Sequence, residues 1–339
     1  MGIDMTVTWA VIIFFAVFMY VLLDGFDLGI GLLFPFTPDK RDRDTMMHTV
    51  APVWDGNETW LVLGGTGLLA AFPVAYAIIL SGLYLPLVFM LIGLVFRGVA
   101  FEFRFKAREG ERHLWDQAFI GGSVVAAFFQ GVALGAFLDG ITVSGRSFAG
   151  GALDWLAPFP LLAGMGVMVA YTLLGATWLV MKTEGELHAR MVQVARPFAL
   201  MLLAAIAIVS IWTPLRDPAV ATRWFSFPNI VLLAPVPVLV LVFIALLLWA
   251  LRGKDQRLPH RLPFVAALAL VFLGYCGMAI SIWPHIVPPA ISIWEAASPP
   301  SSQGFALVGT LVILPVVLVY TGWSYWVFRG KVKADAGYH

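Results

Sequence analysis

Asp24 and Asp27 stand three residues apart in one apolar run, and Asp55 and Glu58 stand three apart in the next. On a helix this spacing puts each pair on a single face. A carboxylate in hydrocarbon costs about 2.5–3.5 kcal/mol on insertion scales, so each acid needs a partner, a water-filled path or a role. Asn57 and Thr59 extend the second pair into a ladder of carboxylate, amide and hydroxyl groups. Such a ladder is suited to proton relay. The competing reading is structural pairing with Arg97 or with basic loops. Arg97 and Glu102, near the end of a later run, read as residues that snorkel to the membrane face. Asp116, at the start of the run after that, reads as a helix-dipole or cap residue.

The elements that must position these acids are membrane helices. The 339 residues are 60% hydrophobic and 12% charged, against about 25% charged in an ordinary soluble domain. Backbone polar groups in lipid must be satisfied internally, so each long apolar run is expected to be a helix. The expectation is an all-α polytopic protein forming one transmembrane domain over 1–339. Its nine spans fall near 8–35, 49–72, 75–103, 114–138, 157–181, 195–213, 229–251, 262–283 and 304–328. The first run is read as a true span rather than a cleaved signal. The single Cys276 cannot form an internal disulfide.

Charge separates the two sides. Of the 21 Lys and Arg residues, the groups Lys40–Arg43, Arg104–Arg112, Lys182–Arg196, Arg252–Arg261 and Arg329–Lys333 fall on one side. Only Arg146, Arg216 and Arg223 fall on the other, and Arg97 lies within a span. By the positive-inside rule the N terminus is expected outside and the C terminus in the cytoplasm. With helical rise, Asp24 and Asp27 lie about 24–28 Å along the first span and Asp55 and Glu58 about 9–14 Å along the second. All four then fall in the cytoplasmic half. Net charge is +1, which suggests no nucleic-acid partner.

The histidines exclude one class of chemistry. His48, His113, His188, His260, His285 and His339 all fall in loops, at span ends or in the tail. A bis-histidine haem needs two facing mid-span ligands, so none is expected wholly inside this chain. No Cys/His metal cluster, P-loop or dinucleotide-binding turn is present. Two classes remain from the residues alone: a proton- or cation-coupled secondary transporter, or a proton-conducting subunit of a larger redox complex. A transporter would show paired broken helices in an inverted repeat, and no such symmetry is evident.

Longer motifs separate these classes. Asp24-Gly25-Phe26-Asp27-Leu28-Gly29 and Ala51-Pro52-Val53-Trp54-Asp55-Gly56-Asn57-Glu58-Thr59-Trp60 resemble the signatures of cytochrome bd quinol oxidase subunit II. So do Phe96-Arg97, Gly185-Glu186-Leu187-His188, Trp294-Glu295-Ala296 and Tyr320-Thr321-Gly322-Trp323-Ser324-Tyr325-Trp326. The resemblance implies two four-helix bundles plus one peripheral helix, in a heterodimer with a related subunit I. Subunit I would hold two b-type haems, haem d and the quinol-oxidising loop, and this chain would bind no cofactor firmly. The complex would oxidise quinol, reduce oxygen to water and take up cytoplasmic protons, in the bacterial inner membrane. Small single-helix accessory subunits, lipid and quinone are the further partners it allows. The expected relay acids are Asp55, then Glu58 and Asp24, with Trp54, Asn57 and Asp27 in support. Glu58 stands where some relatives have Gln. The short loop between the sixth and seventh spans resembles the cyanide-insensitive branch.

Overall fold

The computed structural model describes residues 4–108, 110–252 and 259–332. Lys254, Arg257, Lys333 and His339, which entered the charge and histidine expectations, lie outside them. The chain runs α1 (Met5–Leu33), α2 (Lys40–Val50), α3 (Trp54–Ala71), α4 (Pro73–Gly82), α5 (Tyr84–Arg104) and α6 (Arg112–Asp139). A two-strand hairpin, β1 (Val143–Ser144) and β2 (Ser147–Phe148), leads to α7 (Pro158–Lys182), α8 (Gly185–Arg216), α9 (Pro218–Phe225), α10 (Asn229–Leu233), α11 (Pro235–Ala250) and α12 (Leu262–Ile282). A second hairpin, β3 (His285–Val287) and β4 (Ile291–Ser292), is followed by α13 (Ile293–Ala296) and α14 (Pro300–Val327).

Among the described residues, eight helices are long and apolar enough to cross a bilayer. The run α3 falls outside that set because it opens on Trp-Asp-Gly-Asn-Glu, although its 18 residues would extend about 27 Å. It lies antiparallel along α1. Asn57 of α3 reaches Leu23 and Asp27 at one end, and Gly67 meets Ile13 and Trp9 at the other. The helices α1, α3, α5 and α6 form one group and α7, α8, α11 and α12 a second, joined where α7 packs on α1 and α6. The last helix, α14, lies against α1 and α3.

Several expected boundaries are corrected. The run at 49–72 begins at Trp54, because residues 49 and 50 close the separate polar helix α2. Pro52 has no N–H to continue the α2 ladder, which ends there. Asp55 is therefore in the first turn of α3, and Glu58 is only about 6 Å along it. The run at 75–103 is two helices divided at Leu83, with α4 packed among the hairpins and α13 rather than inside the bundle. The helix expected at 195–213 begins ten residues earlier, at Gly185. Its apolar stretch marks only part of a longer helix. The run at 229–251 is α10 and α11, joined at Pro235.

The bundle is closed by backbone contact. A Cβ on Gly29 of α1 would lie 2.0 Å from the Tyr171 carbonyl oxygen of α7. One on Gly93 of α5 would lie 2.6 Å from the Ala126 nitrogen of α6. Small residues let membrane helices approach this closely. The closeness brings polar side chains from α1, α3 and α5 into one buried volume.

Candidate functional site

Tyr20, Asp24 and Asp27 follow one another at i, i+4 and i+7 on α1, and all three are buried. That face meets α3 and α5. Arg97 of α5, 2% exposed, sends Nη1 to within 2.8 Å of Asp24 Oδ1. Its Nη2 donates to Glu58 Oε1 of α3. One guanidinium thus serves two carboxylates from two helices. The Arg97 carbon also lies 5.9 Å from the centroid of the Trp54 ring, and Trp54 packs on Phe101 at 5.1 Å. An aromatic face beside a desolvated cation adds to its stabilisation.

A second chain of hydrogen bonds runs beside this ion triad. Asn57 Nδ2 donates to Asp27 Oδ2 at 2.6 Å and to the Leu23 carbonyl at 3.3 Å. The Tyr325 hydroxyl of α14 donates to Asn57 Oδ1 at 2.9 Å. Several atoms of the cluster have no aligned hydrogen-bond partner: the Tyr20 hydroxyl, both Asp24 oxygens, Asp27 Oδ1 and Arg97 Nε. Tyr20 faces Asp24, and the Asp24–Arg97 contact is an ion pair without hydrogen-bond alignment. Buried polar groups are ordinarily satisfied. With Asp24 engaged by Tyr20 and Arg97, the open positions of the cluster are Asp27 Oδ1 and Arg97 Nε.

The structure therefore divides the expected site residues. It brings Asp24, Glu58, Asn57, Asp27 and Trp54 together around Arg97. Asp55 is not in the buried group. It is exposed in the first turn of α3, adjacent to Glu58, whose side chain is 30% exposed. The snorkelling expectation for Arg97 is overturned, while the competing reading, that the acids pair with Arg97, holds for Asp24 and Glu58. Sequence carried one signal for this. Arg97 lies seven residues inside the end of α5, about 10 Å of rise. Tyr20 was also legible as a continuation of the Asp24–Asp27 face. Tyr325 was not, because it joins from the far end of the chain.

Asp116 is corrected too. It is the fifth residue of α6 and an ion-pair acceptor, not a cap. Arg104, 1% exposed, donates to Asp116 and to Asp44. Arg43 of α2 reaches Asp116 at 2.9 Å and the Thr37 carbonyl at 2.7 Å. Arg190 of α8 meets Asp42 at 3.0 Å. This second network clamps α2 across the ends of α5, α6 and α8. Beside it, the His48 ring stacks on Phe105 with centroids 5.0 Å apart. Burial pushes the His48 imidazole below its usual range, with Asp44 pulling the other way.

The described histidines do not face one another across the middle of the bundle as a bis-histidine haem requires. His48, His113, His188 and His260 lie at one end of the bundle, on α2 or beside the starts of α6, α8 and α12, and His285 lies in β3 at the other. Between them, glycine contacts press the backbones of α1 and α7, and of α5 and α6, together. Among the described residues, no three His, Cys, Asp or Glu side chains are grouped to hold a metal ion.

Comparison with known proteins adds the following. The family model described as cytochrome bd terminal oxidase subunit II matches residues 5–328. The cytochrome bd-I ubiquinol oxidase subunit 2 of Escherichia coli strain K12 is 30% identical, over 93% of this chain and 92% of that protein. The cytochrome bd ubiquinol oxidase subunit 2 of Bacillus subtilis is 27% identical, over 96% of each. A chain from the structure of bd oxidase from Geobacillus thermodenitrificans superposes with a TM-score of 0.79, covering 96% of this chain and 98% of that one. Its sequence identity is 16%, so it speaks to the fold.

Proposed function

This chain belongs to the cytochrome bd terminal oxidase subunit II family, and from that premise we propose that it conveys protons to an oxygen-reducing site held by its partner subunit. It is a multi-pass inner-membrane subunit of a quinol:oxygen oxidoreductase. Haems in the partner would supply electron transfer and oxygen reduction. This chain would supply a route for charge-compensating protons, with its basic end in the cytoplasm, as the positive-inside rule favours.

The carrying observation is the graded exposure of the acids around one guanidinium. Asp55 is exposed, Glu58 is partly exposed, and Asp24 is sealed. Asp55 would capture a proton at the rim of α3. Glu58, three residues on, would accept it in the second turn. Arg97 pairs with both Glu58 and Asp24, so protonating one carboxyl releases the guanidinium toward the other. Charge can then advance without leaving an ion unpaired in a low-dielectric interior. Trp54 holds Arg97 from the side.

The exposed flank of α3 bears Asp55, Thr59, Val62, Thr66 and Leu69. The Thr59 and Thr66 hydroxyls bond back to their own helix, so Asp55 is the member of this stripe that would be costly against lipid, and it supports this end of the flank as a docking face for the partner subunit. Nothing observed favours the carrier alternative.

The test is oxygen reduction and proton uptake by the assembled, reconstituted oxidase. Asp55→Asn should slow turnover about tenfold or more, as expected for loss of a proton-transfer group, and Glu58→Gln, which installs the amide that some relatives carry, should slow it by less, with haem content unchanged in both. Wild-type turnover in both variants would remove the relay from this chain.

A further inference from the structure

The relay uses Asp55, Glu58, Arg97 and Asp24, and leaves one buried acid unexplained. Asp27 is 1% exposed and makes no ion pair in the structure. The charged groups that bear on it are Asp24, Glu58 and Arg97. Arg97 is already shared between the other two. Three carboxyls therefore face a single guanidinium. If all were ionised, the buried cluster would carry two uncompensated negative charges, a state that desolvation strongly opposes.

The ion pairs identify which carboxyl keeps its proton: Asp24 and Glu58 share Arg97, and among the described residues Asp27 pairs with no cation. The Leu23 carbonyl can only accept, so the Asn57 nitrogen must face it. The same nitrogen then donates to Asp27 Oδ2, and Asn57 Oδ1 receives the Tyr325 hydroxyl. Asp27 Oδ2 thus accepts from a neutral amide, a bond that supplies no counter-charge. Its Oδ1 has no partner in the structure and lies on the helix face shared with Asp24. It is the oxygen free to carry a hydrogen.

We propose that Asp27 is a neutral carboxylic acid throughout turnover and acts as a positioning residue. It holds Asn57, and through Asn57 and Tyr325 it ties α1, α3 and α14 together. By staying uncharged it leaves Arg97 to be exchanged between Glu58 and Asp24 alone. This rests on the relay reading only for its role; its neutrality stands on the charge count and on the burial of Asp27 away from any ion pair among the described residues.

The experiment compares Asp27→Asn with Asp27→Leu in the assembled oxidase. Asparagine is uncharged and nearly the same shape as the neutral acid. It should keep turnover within about twofold, with an unshifted pH–rate profile. Leucine cannot bond Asn57 and should lower the thermal midpoint of the complex. A fall of about tenfold in Asp27→Asn, a displaced pH profile, or failure of that variant alone to assemble would each overturn the proposal. Tyr325→Phe supplies a second arm, since it loosens Asn57 and leaves Asp27 in place. It should lower thermal stability without moving the pH profile, and a moved profile would count against Asp27 being neutral. Full turnover in Asp24→Asn and Glu58→Gln would sink the relay while leaving the Asp27 result intact.

Discussion

Two buried arginines on one helix, seven residues apart, meet their acids on different terms. Arg104 serves Asp44 and Asp116, and each of these has a further cation nearby. Arg43 lies on Asp116 at 2.9 Å and Arg112 lies 3.9 Å from Asp44. Arg97 serves Asp24 and Glu58 with no second cation, and a third acid, Asp27, is close by. The first network has cations to match its carboxylates and clamps a surface helix in place. The second has, among the described residues, more acid than base. A balanced network gains nothing from a proton. An acid-rich one is relieved by it. That difference, rather than burial or the number of ion pairs, is the ground on which the Arg97 cluster is proposed as the proton-handling site.

The harshest way to break the comparison is to remove the cation on which the unbalanced side depends. Arg97→Met should strand Asp24 and Glu58 in the interior. Losing one partner of a buried pair typically costs about 3–5 kcal/mol. We expect no assembled oxidase to be recovered from membranes, judged by copurification of the two subunits. Combining Arg97→Met with Asp24→Asn and Glu58→Gln should restore assembly but not turnover, because the charges disappear together. Recovery of the single variant in normal yield would mean that the three carboxyls already carry their protons without Arg97.

The balanced side should respond in stability and not in rate. Asp116→Asn weakens two charge-assisted bonds, from Arg104 and Arg43, in a group with 12% of its side chain exposed. Hydrogen bonds to charged groups contribute about 1.5–3 kcal/mol each, and the partial exposure favours the lower end. The thermal midpoint of the complex should fall, while turnover per assembled complex stays at the wild-type value. A turnover loss comparable to that of Glu58→Gln would erase the distinction between the two regions.

The asymmetry was only partly legible in the sequence. The depth of Asp24 and Asp27 could be read because they interrupt a long apolar run, and helical rise then fixes how far in they lie. Asp55 and Glu58 were set too deep because hydropathy blends the close of α2 into the start of α3. The boundary is made by one missing N–H, at Pro52, which a window average does not register. Arg97 was misread because its meaning depends on three helices converging. Spacing along α5 shows that it lies too far in to snorkel easily, and pairing with the four acids was the competing reading, but spacing does not show that Asp24 and Glu58 are the two that share it. Asp116 was misread for the same reason, since its partner Arg43 arrives from α2. Tyr325 could not have been found, because nothing local ties residue 325 to residue 57.

The smallest effect probes the edge of the clamp. His48 stacks on Phe105 with 9° between the rings, and its folded pKa lies below the ordinary 6.5 because burial outweighs the attraction of Asp44. A group whose charged form is disfavoured in the folded state binds its proton more readily when unfolded. The stabilisation from the neutral ring is therefore complete above pH 6.5 and is lost as pH falls toward the folded value. Between those limits the wild-type thermal midpoint should drop more steeply than that of His48→Phe, which keeps a ring against Phe105 but cannot charge. Parallel slopes would show that α2 docks independently of His48. Turnover per assembled complex should be indifferent to the substitution across the same range. The clamp would then respond to acid only through a partly exposed imidazole at its rim, whereas the Arg97 cluster, on the relay proposed above, would take its protons inside.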